Sequence, residues 1–134
     1  MKQIEEVRQI FERDRFATEN GAVIDEIGAL YAKCSLIIEP KHRNAMGAVM
    51  GGVPFMLADF AFAVATNHEE MGTVSVGSNV VFAGVAKGSR LIAETDCIKN
   101  GRSVCYFNVN VKDDLGNLVA QVTITGYRKA QSKY

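Results

Sequence analysis

One carboxylate lies within an otherwise apolar stretch near the middle of the chain. Residues 51–67 read GGVPFMLADFAFAVATN, and Pro54 fits the first turn of a helix, where its missing N–H is not needed. A helix that begins near Gly52 gives Asp59 only apolar neighbours three and four residues away. Such a carboxylate is either structural, bonded to backbone N–H groups or an arginine, or a general base or nucleophile in a partly desolvated cleft. The lack of nearby polar partners favours the second role, and the sequence leaves both open.

Three glycines, Gly47, Gly51 and Gly52, precede this helix. They serve either tight turns and close packing or an uncrowded helix N-terminus, whose N–H groups can polarise a carbonyl. Asp59 lies seven residues after Gly52, about 10 Å along a helix axis. One reacting carbon cannot contact both in a single chain. The spacing therefore predicts a site that joins Asp59 of one subunit to the glycines of another, twice in a two-fold dimer.

The elements that must position these residues follow from the periodicity of the apolar side chains. Near the start of the chain, the apolar residues have helical spacing and predict an amphipathic surface helix: Ile4, Val7, Ile10 and Phe11. Asn20-Gly21 is a plausible stop for this helix. Residues 22–27 and 30–39 predict a hairpin of two strands, the second ended by Pro40. A loop over residues 41–50 then leads to the buried helix.

After this helix the apolar pattern changes to period two. It predicts four long strands, over residues 73–82, 90–99, 103–112 and 117–128. One face of the third is apolar and is expected to face the core: Cys105, Phe107, Val109 and Val111. The order of elements predicts a single α+β domain over residues 1–134, with one antiparallel sheet and one central helix.

The composition excludes several classes of protein. Of 134 residues 48% are apolar, and 15 basic residues balance 15 acidic ones. The chain is therefore expected to be globular and to bind neither nucleic acid nor an anionic membrane surface. Its three cysteines form no C-x-x-C pair, which predicts buried thiols in a reducing cytoplasm.

Two further classes are disfavoured by residue spacing. The apolar run over residues 45–66 is long enough to span a bilayer, but glycines, a proline and a central carboxylate interrupt it. We therefore expect no membrane-spanning segment. The two histidines, His42 and His68, are far apart and give no ligand spacing, so no metal is expected.

A motif around the central helix is similar to one in a known family. It reads N-x-x-G-x-x-x-G-G followed by L-A-D-x-A, and its residues are Asn44, Gly47, Gly51, Gly52, Leu57, Ala58, Asp59 and Ala61. The motif resembles that of hotdog-fold acyl-CoA thioesterases of the PaaI type, a family related to phenylacetic acid degradation. Similar segments follow at residues 73–76, 81–93, 100–103 and 114–120. The resemblance covers about residues 16–128.

The resemblance implies a fold, an activity and a set of site residues. An antiparallel sheet of about six strands would wrap one long central helix, and subunits would form homodimers and commonly dimers of dimers, that is, homotetramers. Acyl-CoA thioesters would be hydrolysed to free acid and CoA at the subunit interface, without a cofactor. Asp59 would be the catalytic acidic residue, the N–H of Gly51 would polarise the thioester carbonyl from the partner subunit, and Asn44 would shape that side of the site. Whether Asp59 activates water or attacks the carbonyl to form a mixed anhydride is open.

The chain departs from the family motif at one position. Where the family usually has the His of H-G-G, this chain has Met50, whose thioether neither donates a strong hydrogen bond nor takes a proton. If that His only shapes the site, Met50 is tolerable and could widen an acyl pocket. If it holds the carbonyl, the rate falls. His42 could replace it in space, although a loop histidine is more often solvated, and His68 is less suited still.

Other residues are candidates for substrate binding. Met50, Gly52 and Phe55 lie where the thioester would bind, and Met56, Phe60 and Phe62 could line an acyl pocket, although most of these side chains must be core. Basic residues near two turns are candidates for the phosphates of CoA: Lys87, Arg90, Lys99 and Arg102. Such residues at hairpin tips also serve solubility and edge protection.

Three functions follow in order of preference. The first is an acyl-CoA thioesterase. The second is a non-catalytic acyl-thioester binding or regulatory module, suggested by Met50. The third is a hotdog dehydratase, ranked last because no histidine lies beside an acid in the helix. The sequence does not set the acyl group, and the lack of a basic run favours CoA over an acyl carrier protein.

Overall fold

The structure is a computed structural model that describes residues 1–129. Its helices are α1 (Ile4–Phe11), α2 (Arg15–Glu19) and α3 (Gly52–Asn67). Its strands are β1 (Val23–Gly28), β2 (Tyr31–Ile37), β3 (Thr73–Phe82), β4 (Arg90–Asn100), β5 (Val104–Asp113) and β6 (Leu118–Arg128). The predicted order of one helix, two strands, the central helix and four strands is confirmed, with α2 added.

All six strands form one antiparallel sheet in the order β1-β2-β4-β5-β6-β3. The period-two pattern of β5 buries alternate residues, as predicted: Cys105, Phe107, Val109 and Val111. These side chains lie on the face of the sheet that packs against α3. The crossover that places β3 beside β6 leaves β3 at one edge of the sheet and β1 at the other.

The central helix α3 is apolar on nearly every side and forms the middle of the core. Phe62 packs edge-on against Phe107 of β5, with ring centroids 5.2 Å apart. A Cβ added at Gly126 of β6 would lie 2.7 Å from the Phe62 ring, so this close approach requires glycine. Truncation of Phe62 to alanine would cost about 3–5 kcal/mol of unfolding free energy, because it would leave a cavity at the centre of the core.

The amphipathic helix α1 packs with its apolar face inward, as predicted. Val7 and Phe11 are buried, and the Phe11 ring meets Phe60 of α3 edge-on, with centroids 6.2 Å apart. Arg8 donates two hydrogen bonds, 3.0 and 2.8 Å long, to the carbonyl oxygen of Ile24 in β1. Helix α1 therefore joins the β1 edge of the sheet to the central helix.

Three local details differ from the prediction. Residues 15–19 form the separate helix α2, which the sequence pattern did not predict. The second strand ends at Ile37, and Pro40–His42 forms a 3₁₀ turn instead of open loop. The expectation that His42 is solvated is wrong: it is buried, its Nδ1 accepts from the N–H of Glu39, and its Nε2 donates to the carbonyl of Asn20, 2.8 Å away.

Other expectations are met in part or remain predictions. Cys34 and Cys105 are buried free thiols, whereas Cys97 is half-buried. Within residues 1–129, no helix is long and apolar enough to cross a membrane. The single domain over residues 1–134 stays a prediction, and its last five residues lie outside the described residues.

Candidate active site

Asp59 lies in the middle of α3, on the side of the helix that faces away from the sheet. Its side chain is exposed in the single chain, and within residues 1–129 it makes no hydrogen bond and no ion pair. The structural role considered above required backbone or arginine partners, and the described chain supplies none. Desolvation by the surrounding apolar helix raises the pKa of this carboxyl, and the negative charge of Asp14 raises it further.

The second carboxylate, Asp14, comes from the turn between α1 and α2. It occupies the N-cap position of α2, where an aspartate commonly accepts a hydrogen bond from the helix, yet its side chain makes no capping bond. Its backbone N–H donates to the carbonyl of Phe11, 3.0 Å away, and the Phe11 ring packs on Phe60, the residue after Asp59. Asp14 could not be identified from the sequence, because only the fold lets residue 14 act on residue 59.

The N-terminus of α3 presents backbone N–H groups without partners. Within the described residues, the N–H groups of Gly51 and Gly52 donate to no other backbone or side-chain atom. A Cβ at Gly51 would lie 2.9 Å from the ring of Phe82 in β3, so this position is crowded by an aromatic side chain. Gly51 therefore allows close packing against Phe82 and also leaves its N–H without a partner. These two roles, which the sequence left as alternatives, are compatible.

Asn44 holds the loop that leads into this helix. Its side-chain Oδ1 accepts hydrogen bonds from the N–H groups of Met46 and Ala48, at 3.0 and 3.1 Å. Gly47, between them, has φ +82°, a left-handed conformation that glycine adopts without strain. Asn44 therefore sets the shape of the loop that leads to Gly51, and its role in the site stays a prediction.

Met50 lies beside the N–H groups at the start of α3, at the position where the resembling family usually has histidine. Its side chain is 51% exposed. His42 and His68 are both buried, and each ring Nε2 donates to a backbone carbonyl, that of Asn20 and that of Gly28. Neither histidine is free to take the place of the family's His. Phe55, on the first turn of α3, is 36% exposed, so the start of the helix presents apolar as well as backbone groups.

The predicted site residues fall into two groups on α3 that do not meet within one chain. Gly51 precedes Asp59 by eight residues, which corresponds to about 12 Å along the helix. The carboxylate and the free N–H groups therefore cannot contact the same carbonyl carbon in one subunit. The shared site expected from the sequence stays a prediction.

The basic residues considered for CoA binding are likewise not brought together. Arg90 donates to Asp25, at 3.2 Å, and to the buried Ser35, at 2.6 Å, so it joins β4 to β1 and β2. Lys87 has an exposed side chain at the same end of the sheet, whereas Arg102 lies beyond the other end of β4. The 11 residues of β4 separate the two ends by about 33 Å.

Comparisons with known proteins agree with the fold. No family model matches the chain. Among curated proteins, it is 28% identical over 120 residues to an Archaeoglobus fulgidus protein named "Putative esterase", with 89% of this chain and 78% of that one covered. It is 29% identical over 92 residues to human acyl-coenzyme A thioesterase 13, with 66% of each chain covered. The chain thus spans about two thirds of the human protein.

Solved structures are similar over almost the whole chain. The Escherichia coli PaaI protein from the phenylacetic acid degradation operon has a TM-score of 0.87 at 20% identity, with 98% of this chain and 99% of that one covered. A hypothetical thioesterase with coenzyme A from Streptococcus pneumoniae has a TM-score of 0.83 at 19% identity, with 93% and 98% covered. The fold is therefore the hotdog fold, and the resemblance to PaaI-type thioesterases is confirmed. The names of the curated relatives support a thioester hydrolase.

Proposed function

We propose that the protein hydrolyses acyl-CoA thioesters to free acid and CoA, at sites formed between two copies of the chain. The observation that carries this proposal is the carboxylate of Asp59 on the central helix, which has no hydrogen-bond or ion-pair partner among the described residues, in a chain whose relatives are named as esterase and acyl-CoA thioesterase. The CoA in one structural neighbour supports CoA as the carrier. The reaction needs no cofactor, because water, a carboxylate and a polarised carbonyl suffice for ester hydrolysis.

The edge of the sheet formed by β3 is the surface through which we propose that two copies pair. At the opposite edge, Arg8 of α1 binds the carbonyl oxygen of Ile24 in β1, whereas within the described residues no strand pairs with the outer edge of β3. Large apolar side chains are exposed along β3, among them Val76 at 63% and Phe82 at 61%. An uncovered apolar edge strand is a template for pairing with another strand. Two antiparallel β3 strands would extend the sheet across a two-fold axis.

Such a dimer would complete the site. Phe82 packs against Gly51, so the β3 edge and the N-terminus of α3 lie side by side. Pairing at this edge would bring the N-terminus of one α3 towards the middle of the other. The thioester carbonyl would then accept a hydrogen bond from the N–H of Gly51 in one subunit, while Asp59 of its partner faces the carbonyl carbon. The positive end of the helix dipole would stabilise the oxyanion.

Asp59 has two possible roles in this site. It removes a proton from the attacking water, or it attacks the carbonyl and forms a mixed anhydride that water then opens. Both roles need the ionised carboxylate, and a raised pKa makes the carboxylate a stronger base. Single-turnover hydrolysis in ¹⁸O-labelled water tests the anhydride route. If water opens the anhydride at the carboxyl carbon of Asp59, the product acid carries an unlabelled oxygen from Asp59 and Asp59 gains ¹⁸O, whereas direct attack of water on the thioester places ¹⁸O in the product.

A second surface supports a dimer of dimers. On the face of the sheet away from α3, β5, β6 and β3 carry a continuous set of uncharged side chains, paired across the strands: Tyr106, Asn108, Asn110, Gln121, Thr123, Thr125, Tyr127, Val74, Asn79 and Val81. The same face of β4 carries Arg90, Glu94 and Asp96. Because β3 of each subunit would lie at the two-fold axis, the uncharged surfaces of the two subunits would meet at the centre of the dimer. We propose that this surface packs against a second dimer.

The remaining details of the proposal concern CoA and location. Lys87 and Arg102 have exposed side chains that are free to meet the phosphates of CoA, whereas Arg90 would first have to leave Asp25. Free thiols fit a reducing compartment, and we place the protein in the cytoplasm.

A second candidate function is supported by Met50. The position where the resembling family usually has histidine holds an exposed thioether, and both histidines of the chain are committed to backbone carbonyls. A chain of this kind could bind an acyl thioester and hydrolyse it poorly. It would then act as a binding or regulatory module.

The test is thiol release from a panel of aromatic, short and medium acyl-CoAs, followed with a colorimetric thiol reagent. We expect turnover in the wild type and a decrease of about 10²- to 10⁴-fold in Asp59→Asn, the usual contribution of a general base. Asp96→Asn, an exposed acid on β4, is the matched control and should retain full activity. Equal rates in Asp59→Asn and the wild type would contradict the role of Asp59. Binding of acyl-CoA without turnover would favour the second candidate.

A further inference from the structure

His42 lies nine residues before Gly51, and both nitrogens of its ring are hydrogen-bonded to the main chain. The residue is 3% exposed. Its Nδ1 accepts from the N–H of Glu39 at 2.9 Å, and its Nε2 is 2.8 Å from the carbonyl oxygen of Asn20. Only a neutral ring with its proton on Nε2 satisfies an N–H on one side and a carbonyl on the other. The two backbone groups therefore fix the orientation of the ring.

The two partners of this ring belong to different parts of the chain. Glu39 lies just after β2 and precedes the 3₁₀ turn, whereas Asn20 is the C-cap residue of α2. Lys41, in the same turn, adds a second bond to the end of α2, because its Nζ donates to the carbonyl oxygen of Glu19 at 3.0 Å. Helix α2 in turn packs against α3. The turn that contains His42 is thus held both by the end of β2 and by the end of α2.

The main chain of His42 is bonded to the residue directly before Gly51. The carbonyl oxygen of His42 accepts a hydrogen bond from the N–H of Met50, 2.9 Å away. Between these two residues the chain forms a closed loop, in which Arg43 and Val49 pair as an isolated antiparallel bridge. Both ends of the loop therefore meet at His42. The position of His42 sets the place where the chain enters α3, and with it the position of the unpaired N–H of Gly51.

We infer that His42 is a positioning residue for the reaction: its ring bonds to Glu39 and Asn20 hold the N–H of Gly51 where the thioester carbonyl needs it. This inference rests on the proposed function, because it takes that N–H to polarise the carbonyl. The buried ring of His42 touches no substrate and acts only through the loop. A donor stabilises an oxyanion at a distance of about 2.7–3.1 Å, and a displacement of about 1 Å can lower a rate about 10²-fold. A small movement of the loop is therefore expected to lower kcat.

His68, the other histidine of the chain, provides a matched control. It is 1% exposed, and its Nε2 donates to the carbonyl of Gly28 at 2.7 Å, so it has the same burial and the same kind of ring bond as His42. It lies 17 residues after Gly51, about 25 Å away along the helix. Replacement of either histidine should lower stability in denaturant unfolding, but only replacement of His42 should disturb the N–H of Gly51.

The first test compares side chains of similar length at these two positions. Glutamine has one donor and one acceptor, whereas methionine has no strong donor or acceptor. We expect kcat to fall about ten- to hundredfold in His42→Met with little change in KM, because the N–H acts mainly in the transition state. His42→Gln should recover most of kcat, and His68→Met should keep the kcat of the wild type. Equal kcat in His42→Met and the wild type would overturn the inference. If His42→Met fails to fold, His42→Asn, which keeps an acceptor for the N–H of Glu39, takes its place.

The second test is a double-mutant cycle with Gly51→Pro, which lacks the N–H that His42 is inferred to position. Two residues that act through the same contact give effects that do not add. In the Gly51→Pro chain, His42→Met should therefore lower kcat by less than about twofold. The same fold loss in both backgrounds would show that His42 acts on some other group, and would overturn the inference.

A readout without turnover separates this inference from the proposed function. Selective ¹⁵N labelling of the 12 glycines gives an amide spectrum in which the cross-peak of Gly51 is identified by its absence from Gly51→Pro. His42→Met should shift this cross-peak, and His68→Met should not. If the shift is seen but the wild type releases no thiol, the positioning by His42 stands and the proposed hydrolysis fails. If the wild type releases thiol and the cross-peak does not respond to His42→Met, the hydrolysis stands and the positioning fails.

Discussion

The two ends of the central helix α3 differ in their hydrogen-bond partners. At the C-terminal end, Asn67 accepts hydrogen bonds from the N–H groups of Gly72 and Thr73, and Lys2 donates to the carbonyls of His68 and Glu69. At the N-terminal end, the N–H groups of Gly51 and Gly52 have no partner within the described residues. The unpaired groups at a helix end are satisfied by capping side chains, by water or by ligands. The C-terminal end therefore contributes to the stability of the fold, whereas the N-terminal end leaves two N–H groups available, as the proposed function requires.

The residues around the two ends of α3 also differ in exposure and in hydrogen bonding. His68, beside the satisfied end, is 1% exposed, and its Nε2 donates to the carbonyl of Gly28, 2.7 Å away. Met50, Phe55 and Phe82, around the open end, are all exposed apolar side chains. Exposed apolar groups next to unpaired N–H groups are expected where a second subunit or a substrate covers them.

The largest loss of activity is expected when the unpaired N–H of Gly51, at the N-terminal end of α3, is removed. Gly51 has φ −56°, which suits proline, so Gly51→Pro removes the N–H with little change in the backbone. Gly51→Ala is the matched control, because it introduces the same Cβ against Phe82 and keeps the N–H. We expect kcat to fall by about 10²- to 10³-fold in Gly51→Pro and much less in Gly51→Ala. Equal losses in both variants would mean that crowding, and not the N–H, matters.

Smaller effects, on stability or on activity, are expected when the asparagine near either end of α3 is replaced by alanine. Asn67→Ala leaves buried groups of Gly72 and Thr73 unpaired, so the free energy of unfolding should fall by about 1–3 kcal/mol. The activity per folded molecule should not change. Asn44→Ala lies in the exposed loop before the N-terminal end of α3. It should cost more transition-state free energy, measured from kcat/KM, than free energy of unfolding. Denaturant unfolding and steady-state kinetics on both variants check this, and a reversed pattern would contradict the division between the ends.

The smallest effect is expected in the pH dependence. Desolvation, and then the charge of Asp14, raise the pKa of Asp59, and the ionised form is the active one. Activity should therefore rise with pH through this raised pKa. Asp14→Asn removes one cause and should move the acidic limb of kcat/KM to lower pH, whereas Glu6→Gln, an exposed acid on α1, should not move it. An acidic limb that is identical in Asp14→Asn and the wild type would exclude coupling between the two carboxylates.

The same shift has a consequence for stability. Because folding raises the pKa of Asp59, the native state binds this proton more tightly than the unfolded chain does. The contribution of Asp59 to stability therefore decreases as the pH rises from the unfolded pKa to the folded one. Asp59→Asn stays neutral at every pH and should be at least as stable as the wild type at pH 7. Its loss of activity would then be separable from any loss of fold.

Local sequence patterns predicted much of this fold for definite physical reasons. Helix α3 follows from Pro54 and the continuous apolar residues after it, and β5 follows from strict alternation over Cys105 to Val111. These signals depend on neighbours within a few positions. The resemblance of the motif from Asn44 to Ala61 predicted the fold that the structural neighbours confirm.

Other features could not be predicted because they depend on contacts between distant parts of the chain. Asp14 approaches Asp59 only after α1 has packed on Phe60, and Arg90 meets Asp25 only when β4 and β1 flank β2. His42 was expected to be solvated because a short loop segment does not reveal that the carbonyl of Asn20 will cover it. For the site, the sequence predicted which residues are chemically able, but not that both histidines would be bonded to backbone carbonyls.

The central claim is that each site takes Asp59 from one subunit and the N–H of Gly51 from the other. The most direct measurement is the activity of a mixed dimer in which one subunit carries Asp59→Asn and the other carries Gly51→Pro, purified with two different affinity tags. One of its two sites would then contain an intact Asp59 and an intact Gly51, although each homodimer has neither site intact. We predict about half of the wild-type activity per dimer. A mixed dimer as inactive as the two homodimers would contradict the account and place both groups within one chain.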